Sequence, residues 1–183
     1  MSVLISEKTK EKIFALVNTL LGTDYKFSGF GDDMPVISGV FQGVITVFNY
    51  HQKTGTWYPT VINNAHIVSA SASTHGTTGN INADSVEVQI TSNRAQHVST
   101  PSGNKSYTLP KDYAVSNTPE EYVTFTPECD FFFVGKWDDL TPVEDDDFDE
   151  GFYHAMNQEN DGVYMINNAA YFSLIPHFEI GGR

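Results

Sequence analysis

The one strong run of apolar residues at helical spacing lies near the start of this chain, and from Val36 onward strand signals dominate. Ile13, Phe14, Leu16, Val17, Leu20 and Leu21 recur at intervals of three, four and seven and make one apolar stripe. They predict a single helix from Glu7 to Leu21, with Ser6 as its N-cap and Gly22 in the left-handed position that ends it. Lys8, Lys10 and Lys12 fall in its first turns, where the helix dipole disfavours cations, and a solvated polar face accounts for them. Thr23 to Pro35, rich in Gly and Asp, reads as a loop.

Strand signals then take over. Val36 to Tyr50 is β-branched and aromatic, Lys53-Thr54-Gly55 supplies a hairpin turn, and Trp57 to Ile62 returns along it. Pro59 has no N–H for a ladder, so this second strand is expected at a sheet edge or on a bulge. A third strand is expected at His66 to Ala72. Ser69 to Ser85 (SASASTHGTTGNINADS) has too few apolar side chains to anchor a core of its own and reads as a long loop or a projecting hairpin. Ser85 to Ser92 alternates cleanly, with Val86, Val88 and Ile90 on one face and Glu87 and Gln89 on the other.

A polar connection, Ser99 to Ser106, leads to Tyr107 and Leu109, and Tyr122 to Thr126 and Asp130 to Trp137 form further strands. Phe152 to Gln158 suits a short helix. Val163 to Ile166 and Tyr171 to Ile180 are expected to close the fold as a hairpin around Asn167-Asn168, a pair that tolerates positive φ. Ile62-Asn63-Asn64-Ala65 and Ile166-Asn167-Asn168-Ala169 repeat four letters and are read as two similar turns. The pattern predicts one mainly β domain, an antiparallel sandwich or barrel with one N-terminal helix.

Charge narrows the functions open to such a domain. Lys and Arg number 10 against 23 Asp and Glu, a net charge of −13 that disfavours nonspecific nucleic-acid and anionic-membrane binding. Eight of the acids lie between Asp138 and Glu150 with no basic residue among them: Asp138, Asp139, Glu144, Asp145, Asp146, Asp147, Asp149 and Glu150. Such a segment cannot form a sheet interior and is expected as an acidic surface. No apolar run is long enough to span a bilayer, and MSVLISEKTKEK lacks the pattern of a secretory signal, so synthesis in a cytoplasm is expected.

Chemistry-bearing residues are sparse. Cys129 is the single cysteine, which excludes an internal disulfide, and beside Asp130 it reads as a buried small residue in preference to a nucleophile. Among the six histidines no HExxH spacing occurs; His177 and Glu179 share a strand face, a placement common by chance. Asp145, Asp147 and Asp149 alternate as calcium ligands can, yet counting from Asp145 puts Glu150 where an EF-hand needs glycine and Met156 where it needs glutamate. Gly29-Phe30-Gly31 is no phosphate cradle, and Asn104-Lys105-Ser106 is a glycosylation acceptor only in a secreted chain. With only Arg94 and Arg183 as arginines, direct sequence-specific DNA binding is not expected. No catalytic residue, metal or cofactor is expected.

The stretch from Asp130 to Arg183 resembles small structural proteins encoded among the head and neck genes of tailed bacteriophages. The resemblance rests on DFFFVGKW, the acidic loop after it, Phe152, Tyr153, Met156 and Asn157 in an FY-x-x-MN pattern, Val163, Tyr164 and Ile166, and the ending Ile175 to Gly182; Lys105 to Asp112 (KSYTLPKD) is weakly similar as well. It implies a virion protein assembled in the host cytoplasm: a head–tail connector, stopper or tail-completion subunit. Its partners would be copies of itself in a ring and neighbouring virion proteins, with no membrane. Thirteen phenylalanines and nine tyrosines suit such contacts. The residues expected at contacts are Ile13, Leu16 and Leu20 of the helix and Ile175, Phe178, Ile180 and Arg183 of the C-terminal strand.

Two other readings follow from the residues. The acidic segment could mimic a nucleic acid and inhibit a host defence nuclease, or it could line a passage through which DNA slides. Trp57, Tyr58 and Trp137 could serve a hydrolase or carbohydrate-binding module, although aromatics of this kind more often pack a sheet.

Overall fold

The computed structural model describes residues 43–70, 73–76, 79–82 and 85–183, all within the unit Val40–Arg183. The expected helix from Glu7 to Leu21, with Ile13, Leu16 and Leu20, and the start of the first strand lie outside the described residues.

Six antiparallel strands close into a barrel. They are β1 (Gly43–His51), β2 (Thr56–Ala70), β5 (Ser85–Thr91), β9 (Phe131–Val134), β11 (Val163–Phe172) and β12 (His177–Gly182), in the spatial order β1-β9-β11-β12-β5-β2, with β2 pairing back onto β1. Of the two architectures the sequence allows, sandwich and barrel, the second is the one formed. Closure follows from the alternation: each strand has one apolar face, and curling the sheet buries all of these faces against one another. Ile45, Val47, Ile62, Val88, Ile90, Phe132, Ile166, Phe178 and Ile180 fill the interior. Gly182 belongs there because a Cβ on it would lie 2.7 Å from the Phe132 ring and from Tyr164 Cβ.

The opposite face of β1 and β9 is apolar too, and a helix covers it. Phe48 stacks on Phe131 at 4.6 Å, and helix α2 (Phe152–Glu159) lays Phe152 and Met156 over them with Trp57 alongside. This is the short helix the sequence predicts. A three-stranded sheet of β6 (His97–Thr100), β7 (Gly103–Tyr107) and β8 (Tyr122–Val123) packs Val98, Tyr107, Val123 and Phe125 against the main core, with helix α1 (Pro110–Val115) between β7 and β8.

Several expectations are met. The β1–β2 hairpin turns at Lys53-Thr54-Gly55, where Gly55 donates to the His51 carbonyl with a φ of 71°. Val86, Val88 and Ile90 are buried while Ser85 and Glu87 are exposed. Pro59 lies between the part of β2 that pairs with β10 (Val143–Glu144) and the part that pairs with β5, where only β1 is laddered to it. In the polar stretch after β2, strands β3 (Ser73–Gly76) and β4 (Gly79–Asn82) pair and continue the β2–β5 register, so the hairpin reading holds.

Others are corrected. Asn167-Asn168 is not a turn: β11 runs through it, and the chain reverses at residues 173–176. The two Ile-Asn-Asn-Ala segments are both bulges. Register slips between Gly43 and Ile45 opposite the first, where Asn64 has a φ of 58°, and between Ile166 and Asn168 in the second. An extra residue bends a strand without ending it, so the strands expected at Trp57–Ile62 and His66–Ala72 are the single strand β2. Ser99 to Ser106 is not a mere connection; it forms most of the β6–β7 hairpin, because backbone pairing needs no apolar side chain once Val98 anchors it.

Candidate functional site

Three features of the domain could carry function: an acidic flank, an apolar turn and a buried polar group of side chains. The acidic flank follows β9 and is pinned to the barrel at two points. Its Val143 and Glu144 form β10 on the end of β2, where Glu144 accepts a hydrogen bond from Thr56 Oγ1 at 3.0 Å. Asp145 Oδ1 accepts from Trp57 Nε1 at 2.7 Å and from the backbone N–H of Phe152 at 2.8 Å, so it joins the flank to the aromatic core and satisfies the first donor of α2. Asp138, Asp139, Glu144, Asp146, Asp147, Asp149 and Glu150 are exposed. Among the described residues no group of three or more His, Cys, Asp or Glu is arranged to hold a metal ion.

The two roles separate by mutation. Asp145→Ala is expected to destabilise the protein by about 1–3 kcal/mol through the orphaned indole and helix donors. Asp146→Asn and Asp149→Asn are expected to stay within about 0.5 kcal/mol of the parent. Urea unfolding midpoints check both.

The apolar turn joins β11 to β12. Leu174 is 93% exposed, Ile175 66% and Phe172 43%, while Phe172 stacks on the His177 ring at 4.9 Å. His177 Nε2 lies 3.2 Å from Glu179 Oε1, which also accepts from Gln89 Nε2 at 3.1 Å. His177 and Glu179 thus share the outer face of the strand, as the sequence predicts, in a cross-strand polar row.

The third feature lies inside. Residues paired across β1 and β2 share a face, and along that face the interior passes from Ile45 and Ile62 to Val47 and Thr60, then Asn49 and Tyr58, then His51 and Thr56. One end of the core is therefore polar. Asp130 is fully buried there: Oδ2 accepts from Asn49 Nδ2 at 3.0 Å and from the Thr126 N–H at 2.7 Å, and Oδ1 from the Tyr50 N–H at 3.0 Å. Asn49 also donates to the Thr124 carbonyl at 2.7 Å. Burial pushes the Asp130 carboxyl up to about 7 against the pull of these hydrogen bonds. The neighbouring Cys129 thiol is pushed up to about 11, first by burial and then by Asp130, the reverse of what an activated nucleophile needs.

A protein-family model matches residues 41–183, the whole of the barrel unit from its second residue on, and it describes a family of unknown function (DUF6751). The chain belongs to that family. No curated protein and no solved structure matches it.

Within the DUF6751 region the sequence-predicted contact residues divide. Phe178 and Ile180 point into the barrel at 2% and 1% exposure, where Phe178 meets Tyr107 and Phe125, so they are core and offer no surface. Ile175 and Arg183 stay outside, Arg183 with Glu128 at 3.5 Å. Trp57 is core, Trp137 packs against Phe48 and Phe133, and half-buried Tyr58 lies beside the His51 ring, so these aromatics take part in the packing of the sheet. Sequence reading missed Leu174, the most exposed large apolar residue described, because a hairpin centred on Asn167 places it within a strand. It missed Asp130 and Asn49 as a pair because they are 81 residues apart.

Proposed function

We propose that this DUF6751 chain is a structural subunit of a tailed-phage particle near the head–tail junction, of the connector, stopper or tail-completion kind, working by contact with copies of itself and neighbouring virion proteins. The observation that carries this reading is the Phe172–Ile175 turn, where three large apolar side chains, Phe172, Leu174 and Ile175, are exposed at the end of a barrel hairpin. Closing the barrel removes the edges by which its six strands could recruit another chain, which favours contact through exposed side chains such as these. Large apolar side chains grouped in solvent at one turn mark a contact surface. The resemblance of residues 130–183 to head and neck proteins supplies the class of partner.

The test is a Leu174→Asp, Ile175→Asp variant. It is expected to fold with an unchanged urea midpoint, since both residues are exposed, but to be missing from purified particles and to lower phage titre at least tenfold. Incorporation at the parent's stoichiometry would overturn the reading. A second reading, inhibition of a basic host nuclease by mimicry of nucleic acid, is favoured by the seven exposed carboxylates of the flank. It requires a basic host protein to co-purify with the parent and to be lost from Asp146→Asn, Asp147→Asn, Asp149→Asn, a substitution set that leaves the Asp145 anchor in place.

A further inference from the structure

The polar end of the barrel contains side chains whose hydrogen bonds are incomplete within the protein. His51 is 1% exposed and its Nδ1 lies 2.9 Å from Thr54 Oγ1, yet its Nε2 has no protein partner. The Tyr113 hydroxyl and Thr124 Oγ1 are buried and unpartnered as well. These three groups occupy one region. His51 follows Asn49 on the inward face of β1, Thr124 is tied through its backbone carbonyl to Asn49, and the Tyr113 ring meets the His51 ring edge-on at 5.8 Å. Tyr113 is also the one buried residue of α1.

Buried polar groups are almost always paired, because an unpaired one loses its hydrogen bonds to water and gains nothing in return. Three in one buried region would consume a large share of a small domain's stability. We propose that the polar end of this barrel is a closed hydration site, in which ordered water bridges His51 Nε2, the Tyr113 hydroxyl and Thr124 Oγ1, and Tyr113 of α1 is the plug that seals it.

The chemistry selects water over other occupants. Nε2 is a donor in one tautomer and an acceptor in the other, and both hydroxyls can do either, so the matching occupant both donates and accepts. A cation does not match: Asp130 is the one buried carboxylate among the described residues, and both its oxygens already accept from three N–H donors. A larger solute does not match either, since each of the three atoms is sealed from solvent.

A crystal structure of the full chain at a resolution that shows ordered solvent tests it directly. Water density within hydrogen-bonding distance of at least two of the three atoms is the expected result; a dry site, an ion or an organic molecule there would overturn the proposal. Thr124→Val and Tyr113→Phe give an independent readout by the sign of their effect. If water bridges these groups, each variant deprives it of a partner and lowers the urea midpoint. If the hydroxyls are merely buried and unpaired, removing them relieves a cost, and an unchanged or raised midpoint would sink the idea.

Discussion

Phe178→Asp is expected to leave no folded protein, in place of a soluble subunit that merely fails to assemble. Phe178 is 2% exposed, sits opposite Ile90 and Tyr171 in the barrel ladder, and touches the rings of Tyr107, Phe125 and Tyr171 at 4.7–5.1 Å. Truncating such a side chain costs about 3–5 kcal/mol, and a carboxylate in its place adds several more for an unpaired buried charge. Against a total stability of roughly 5–15 kcal/mol for a domain of this size, the sum leaves little or nothing. Circular dichroism and soluble yield read the result. A soluble, native-like Phe178→Asp protein would mean that the strand faces outward and would restore Phe178 as a contact residue. Phe178→Leu, which keeps the site apolar, should remain folded and separates loss of packing from loss of a contact.

The second large effect is on pH dependence. Burial holds the Asp130 carboxyl at about 7 in the folded chain, against an ordinary value of 3.8, so the folded state binds this proton more tightly than the unfolded state does. The contribution to stability is therefore full below about pH 4, is lost as the pH rises through about 7, and is constant above that. Its size is on the order of a few kcal/mol. Unfolding free energies from urea titrations at intervals between pH 4.5 and 8 should fall with rising pH, and Asp130→Asn should flatten the part due to this site. That variant should also be less stable than the parent at low pH, by about 1–3 kcal/mol, because its amide places N–H groups against the donors of Tyr50, Thr126 or Asn49. An equally steep fall in Asp130→Asn would assign the pH dependence to other groups.

The split in the C-terminal strand shows what a local pattern can and cannot say. IPHFEI reads as apolar and ordered, and it is ordered, but its apolar residues go to different places: Phe178 and Ile180 inward, Ile175 into solvent at the turn. The alternation gives which residues share a face. Which face is the core depends on where the chain reverses, and the reversal at residues 173–176 in place of Asn167-Asn168 moves that point by several residues. The Asn-Asn pairs carried a real signal, tolerance of positive φ at Asn64, but a bulge and a turn both use it. Only the partner strand distinguishes them.

The acidic flank makes the same point energetically. Composition alone places residues 138–150 on the surface, since eight like charges cannot be desolvated together. Asp145 is set apart from its seven neighbours by Trp57, 88 residues earlier, and by the first N–H of α2. No spacing rule within the segment distinguishes it from Asp146.

The sequence by itself determined the strand rhythm of Val86, Val88 and Ile90, the turn at Gly55, the short helix at Phe152 and the solvent exposure of the acidic run, because periodicity, backbone freedom and charge are local properties. Tertiary structure alone decided that the sheet closes into a barrel, that both Ile-Asn-Asn-Ala segments bulge, that Leu174 is left in water, and that one end of the core is polar around Asn49 and Asp130. The physical reason is that each of these depends on which distant strand lies alongside, and the free energy that selects the partner is a sum over the whole core.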